Sequence, residues 1–149
     1  MAKTSIIIPS RNEKWLSKTV DDVFAKATGE IEVIVILDGR TEFPLPRLRP
    51  NLRFIDKSIS EGLRPAINDA SRIATGKYLL KLDSHCMVSP GFDEVLKKDC
   101  EDNWVVVSRY LALNPETWEI GNHKYYSDYF YLGCPWVNWR SFSFQDVPW

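Results

Sequence analysis

The segment LLKLDSHCMVSP, residues 79–90, carries an apolar-rich stretch straight into Asp83, Ser84 and His85. A carboxylate and an imidazole two residues apart point the same way if the backbone at this strand exit stays extended. Together they can share one divalent cation. The oxygen donor suits Mg²⁺ or Mn²⁺, and the nitrogen donor favours Mn²⁺. Two protein ligands leave the rest of the coordination shell to a substrate's phosphates. The plainer alternative is an Asp that caps the following turn, with a His beside it by chance.

Two other strand exits carry chemistry of a related kind. PSRNE, residues 9–13, sets a rigid Pro9, a cation and an acid after the first apolar run. Arg11 can meet a phosphate and Glu13 a ribose hydroxyl, or Asn12 and Glu13 can serve the start of the helix that follows. Asp38 closes a second apolar run and precedes Gly39. Its carboxylate can accept from a base N–H or a ribose hydroxyl, or Asp-Gly can be a simple turn.

The elements that must position these groups alternate. TSIIIPS predicts a strand from about Thr4 to Ile8, stopped by Pro9. Trp15, Leu16, Val20, Val23, Phe24 and Ala27 recur at helical spacing up to Gly29. IEVIVILDG is β-branched almost throughout and apolar on both faces, as a central parallel strand would be. A proline-rich loop follows, then NLRFID as a strand and SEGLRPAINDASRIATG as a helix. KYLLKLD predicts the fourth strand, SPGFDEVLKKDCED a helix begun by Ser89, Pro90 and Gly91, and WVVVSRYLAL a fifth strand. This order predicts an α/β fold, a mostly parallel sheet with helices on both faces. Ligands of such sheets bind beyond the carboxyl ends of the strands. Residues 9–13, 38–40 and 83–85 should therefore share one edge.

The motifs in order, SIIIPSRNE, EVIVILDGRTE and EGLRPAINDASRIATGKYLLKLDSH, resemble the opening half of a GT-A glycosyltransferase of the family 2 type. LDSHC is similar to the D-x-H variant of polypeptide N-acetylgalactosaminyltransferases. The resemblance covers about residues 3 to 100. It implies a Rossmann-like nucleotide-sugar fold and a metal-dependent transfer of a sugar from a nucleotide-sugar, a UDP-sugar by the D-x-H likeness, to an acceptor the sequence does not name. It also implies that Pro9, Arg11 and Glu13 line the nucleoside and that Asp38 meets the base. Gly62 and Arg64 would sit near the base or phosphates, Ser84 against the ribose, and Asp83 and His85 on Mn²⁺ or Mg²⁺. The chain departs from the family pattern at Leu37, where many relatives have a second acid. It also has Ile67 where an Arg is common, with Arg64 one turn away. Ile67 and Ala70 read as core.

The chain has 149 residues and a net charge of −1, which gives no global field toward nucleic acid or an anionic membrane. That length is read as a single domain: a nucleotide-sugar-binding core over 1–113 and an aromatic-rich, partial acceptor segment over 114–149. Three Cys without a CxxC pair fit a reducing compartment, with Cys86 and Cys100 as core residues. The N-terminal apolar run is too short for a signal peptide or a membrane span, so a cytoplasmic location is expected. The abrupt aromatic end is expected to meet further sequence, as in a chain truncated in its acceptor part, or a second copy in a homo-oligomer. An inverting enzyme needs a general base. Asp128 and Asp146 are the candidates, with His123 as a further ligand, and the catalytic group is not assigned. The alternatives are a non-catalytic nucleotide-sugar-binding module and a nucleotidyltransferase; the latter lacks its glycine-rich loop here. No GxGxxG follows the first strand, against a nicotinamide-binding domain.

Overall fold

The structure is a computed structural model that describes residues 2–98, 100–108 and 110–121 and the strand pairs 126–127, 131–132 and 141–142. His123, Asp128 and Asp146 lie outside the described residues. By internal packing the chain divides into two compact units, Met1–Asp99 and Cys100–Trp149.

The first unit is built on four parallel strands, β1 (Thr4–Ser10), β2 (Ile31–Asp38), β3 (Leu52–Lys57) and β4 (Tyr78–Lys81), in the order β3-β2-β1-β4. Every residue of β2 is buried, which is why its sequence shows no polar face. Side chains of successive residues leave the sheet on opposite faces. Ile6 and Ile8 of β1 and Val33, Val35 and Leu37 of β2 enter one core layer, where α1 (Leu16–Lys26) contributes Leu16, Val20 and Val23 and α3 (Phe92–Lys98) contributes Phe92. Ile7, Ile34 and Ile36 enter the other, under Ala66 and Ala70 of α2 (Leu63–Ile73), with Ile67 partly buried against them. Helices thus cover both faces, and Ile67 and Ala70 pack as the sequence implied.

Pro9 does not end β1, which runs on to Ser10 with Pro9 opposite Ile36. The Ile7 carbonyl accepts from Leu82 N–H, so Ile7 bonds toward β4. Pro9 has the same parity, and its missing N–H faces that side beyond the end of β4 at Lys81. No ladder bond is lost.

The amino ends of the strands are fastened by a buried carboxylate. Glu32 Oε1 accepts from Ser5 Oγ at 2.6 Å, from Thr75 N–H at 2.6 Å and from Thr75 Oγ1 at 2.9 Å, while Arg53 pairs with Oε2. Burial alone would push Glu32 up. These bonds outweigh it and bring the carboxyl from 4.5 to about 2. Gly76 donates to Ser5 Oγ at 2.8 Å, and a Cβ there would lie 2.6 Å from the Ser5 nitrogen, so only glycine allows this approach.

The second unit corrects the expected fifth strand. Residues 104–108 join no ladder among the described residues, and Val105 is 89% exposed. Among the described residues, strand structure here lies in short antiparallel pairs: β5 (Tyr110–Leu111) with β8 (Tyr126–Ser127), β6 (Leu113–Asn114) with β7 (Glu119–Ile120), and β9 (Tyr131–Leu132) with β10 (Ser141–Phe142). A β-branched run favours a strand only where a partner and a packed face receive it. Cys86 and Cys100 are also not core residues proper: both are half-buried free thiols.

Candidate functional site

The parallel order sends the carboxyl ends of all four strands to one rim. β1 delivers residues 9–13 there, β2 delivers Asp38, and β4 leads into Asp83–His85. The grouping expected from the sequence is present.

Asp38 is the most enclosed of these groups, 5% exposed. Its Oδ2 accepts from Ser60 Oγ at 2.7 Å and from Gly62 N–H at 3.0 Å, and its Oδ1 from Glu61 N–H at 2.8 Å. Burial acts to raise its carboxyl, but those three bonds and the nearby Arg11 charge hold it below the usual range. Asp38 therefore shapes the loop between β3 and α2. One lone pair of Oδ1 is left for any further donor. Gly62 is the residue before α2, and its φ of 94° with ψ of 177° belongs to a region that is essentially glycine's own. Arg64 lies exposed on the first turn of the same helix.

The segment after β4 is not extended. β4 stops at Lys81 and residues 84–85 form a turn, so the two-residue spacing of Asp83 and His85 does not place them by strand geometry. Each finds a separate partner. Asp83 pairs with Lys81, and His85 Nδ1 lies 3.0 Å from Glu13 Oε2. Glu13 is itself held, because its Oε1 accepts from Trp15 N–H at 3.0 Å at the start of α1. Ser84 is 6% exposed. Its burial leaves the side chain little surface for a ligand, and its carbonyl accepts from Thr19 Oγ1 at 2.9 Å.

The turn is shaped from α1. Thr19 Oγ1 donates to Ser84 and accepts from Cys86 N–H at 3.1 Å, and Asp22 Oδ2 accepts from Val88 N–H at 2.8 Å. Thr19 and Asp22 are three residues apart and so share a helix face. Neither was identified from the sequence. The available signal was a polar residue at position 19 inside the apolar stripe of Leu16, Val20 and Val23. Burial pushes the Cys86 thiol up, which makes it a poor nucleophile beside this turn.

The donors at the rim suit a shared ion better than a closed one. Among the described residues there is no group of three or more His, Cys, Asp or Glu side chains placed to hold a metal. Asp83 and His85 are about half exposed, at 47% and 57%, and the Lys81 pair on Asp83 is open to solvent. Exposed pairs of this type are worth about 0.2–1 kcal/mol. A divalent ion can displace the ammonium at small cost and complete its shell with a ligand's oxygens.

Comparison with known proteins places the chain. The family model for glycosyl transferase family 2 matches residues 5–145, and the chain belongs to that family. It is 32% identical over 114 residues to the probable N-acetylgalactosaminyltransferase 9 of Caenorhabditis elegans, covering 68% of this chain and 20% of that protein. Crystal structures of S. aureus TarS 1–349, one of them in complex with UDP-GlcNAc, match with a TM-score of 0.51 and 25% identity. They cover 64% of this chain and 30% and 29% of the TarS chains. The fold is GT-A. The chain spans about a fifth of the curated relative's length and under a third of TarS.

Proposed function

We infer that this chain is the donor-binding part of a metal-dependent glycosyltransferase that uses a UDP-sugar. The observation that carries this is the convergence on one rim of the Glu13–His85 contact, the Asp38-shaped loop and the exposed Asp83 carboxylate. The UDP-GlcNAc bound by a structural neighbour and the sugar named in the curated relative support the donor class.

In this reading Asp83 and His85 hold Mn²⁺ or Mg²⁺. When bound, the ion offsets charge on the nucleoside diphosphate as the bond from the anomeric carbon to its oxygen breaks. Pro9 and Arg11 border the nucleoside and Arg64 faces the phosphates from α2. Asp38 and Gly62 shape the loop against which the base rests, and the Ser84 backbone closes the turn beside the ribose. If the transfer inverts the anomeric centre, the acceptor hydroxyl loses its proton to a general base, and Asp128 and Asp146 are the acids to test for that role. The chain's own share would be electrostatic stabilisation and orientation of the acceptor.

Calorimetric titration with UDP and with GDP, each with and without Mn²⁺, tests this directly. UDP should bind, and bind more tightly with Mn²⁺. Asp83→Ala should lose the metal-dependent increment while keeping the melting temperature. Absence of binding by either nucleotide, or an Asp83→Ala chain that binds UDP and Mn²⁺ as the parent does, would defeat the assignment. The alternative reading is a module that binds the donor without turnover. Release of UDP from a UDP-sugar in the presence of Mn²⁺ and candidate acceptors separates the two.

A further inference from the structure

The Glu13 carboxylate is engaged at both oxygens. Oε1 takes the Trp15 N–H at the start of α1, and Oε2 faces His85 Nδ1 at 3.0 Å. A carboxylate oxygen is an acceptor only, so a neutral imidazole in this contact must carry its proton on Nδ1. Its lone pair is then on Nε2. Free imidazole side chains in water have no such constraint, and the tautomer is set by whatever bond the other nitrogen makes.

We propose that Glu13 is a positioning residue that locks His85 as the Nδ1–H tautomer and leaves Nε2 as the donor atom for a divalent cation. The proposal rests on the metal reading above and adds a duty for Glu13 that the family resemblance, which placed it at the nucleoside, did not contain. The chain of supports is continuous. β1 ends at Ser10 and releases residues 11–13, the Trp15 N–H just before α1 fixes one oxygen of Glu13, and the other oxygen reaches His85. Thr19 on the same helix holds the backbone on both sides of His85, through Ser84 and Cys86. Backbone and ring of His85 are thus both referred to α1. Carboxylate–imidazole–metal relays of this form orient the ring and raise its basicity, and loss of the outer partner costs about 10- to 100-fold in metal affinity.

The test reads the tautomer without any metal. The chain has two histidines, His85 and His123, so long-range ¹H–¹⁵N correlations of the rings form a small set that His123→Gln assigns. Spectra are taken at alkaline pH, at a point where the ring ¹⁵N shifts no longer change with pH. The parent should show His85 as Nδ1–H. In Glu13→Gln the amide oxygen can still accept from Trp15 N–H, but the amide NH₂ can only donate toward His85. The ring should then switch to Nε2–H, and Mn²⁺ affinity measured by electron paramagnetic resonance should fall about 10-fold or more. Glu13→Ala should mix the tautomers and weaken Mn²⁺ as well. An Nε2–H ring in the parent, or an unchanged tautomer in Glu13→Gln, overturns the lock whatever manganese does. A parent that shows Nδ1–H but binds no Mn²⁺ upholds the lock and overturns the cation reading it was meant to serve.

Discussion

At the residue scale, the rim acids are not equivalent. Asp38 is buried and committed to the loop of Ser60, Glu61 and Gly62. Asp83 is about half exposed and its carboxylate pairs weakly with Lys81. That ammonium competes with any cation for the same oxygen. Lys81→Ala should therefore raise Mn²⁺ affinity by about 1.5- to 5-fold, the range that corresponds to an exposed pair of about 0.2–1 kcal/mol. Calorimetry of the metal-free chain titrated with Mn²⁺ measures it. A fall in affinity would mean that Lys81 supports the site instead of guarding it.

At the scale of elements, α1 is both a core helix and the scaffold of the turn that bears His85. Thr19→Val keeps the volume and removes the hydroxyl, which strands the Cys86 N–H and the Ser84 carbonyl in a partly buried place. Stability to urea should drop by about 1–3 kcal/mol, and Mn²⁺ affinity should drop with it because the turn loses its fixed shape. Unchanged metal binding in a destabilised Thr19→Val chain would separate the turn from the site. The elements themselves were largely legible in the sequence. β2 announced itself by an unbroken apolar run, α1 and α2 by their spacing, and the rim grouping followed from parallel order alone. The misreadings share one cause. Pro9, the turn at residues 84–85 and residues 104–108 each depend on what lies alongside: which side of β1 a hydrogen bond faces, which helix captures a loop, whether a strand finds a partner. Local composition does not carry that information. The Glu13–His85 contact was hidden for the same reason, since 72 residues separate its partners.

At the scale of the first unit, a strongly perturbed carboxylate sits at the amino ends of the strands, away from the rim. Glu32 is brought from 4.5 to about 2 by the folded structure. A depressed carboxyl stabilises the fold fully above its unfolded value, and that contribution fades as pH falls through the folded one. Unfolding free energy should thus decline between about pH 4.5 and 2, by at most about 3 kcal/mol from this group. Glu32→Gln should be less stable than the parent at neutral pH and should show a flatter acid limb in denaturant titrations across that window. An acid limb identical to the parent's would assign the loss to other carboxylates.

The polar lock of Ser5, Glu32 and Thr75 and the tight seat of Gly76 close the amino ends of the strands, while the opposite ends carry the loops. In the proposed reading, robustness and recognition are thereby given to different ends of one sheet. Exchange of exposed residues such as Leu48 in the proline-rich loop between β2 and β3, or of Arg64 itself, touches neither the lock nor the buried members of the two core layers. A scaffold divided in this way tolerates diversification at little expense to folding, so if the donor reading holds, those exposed positions are the natural place to build a library for altered donor choice.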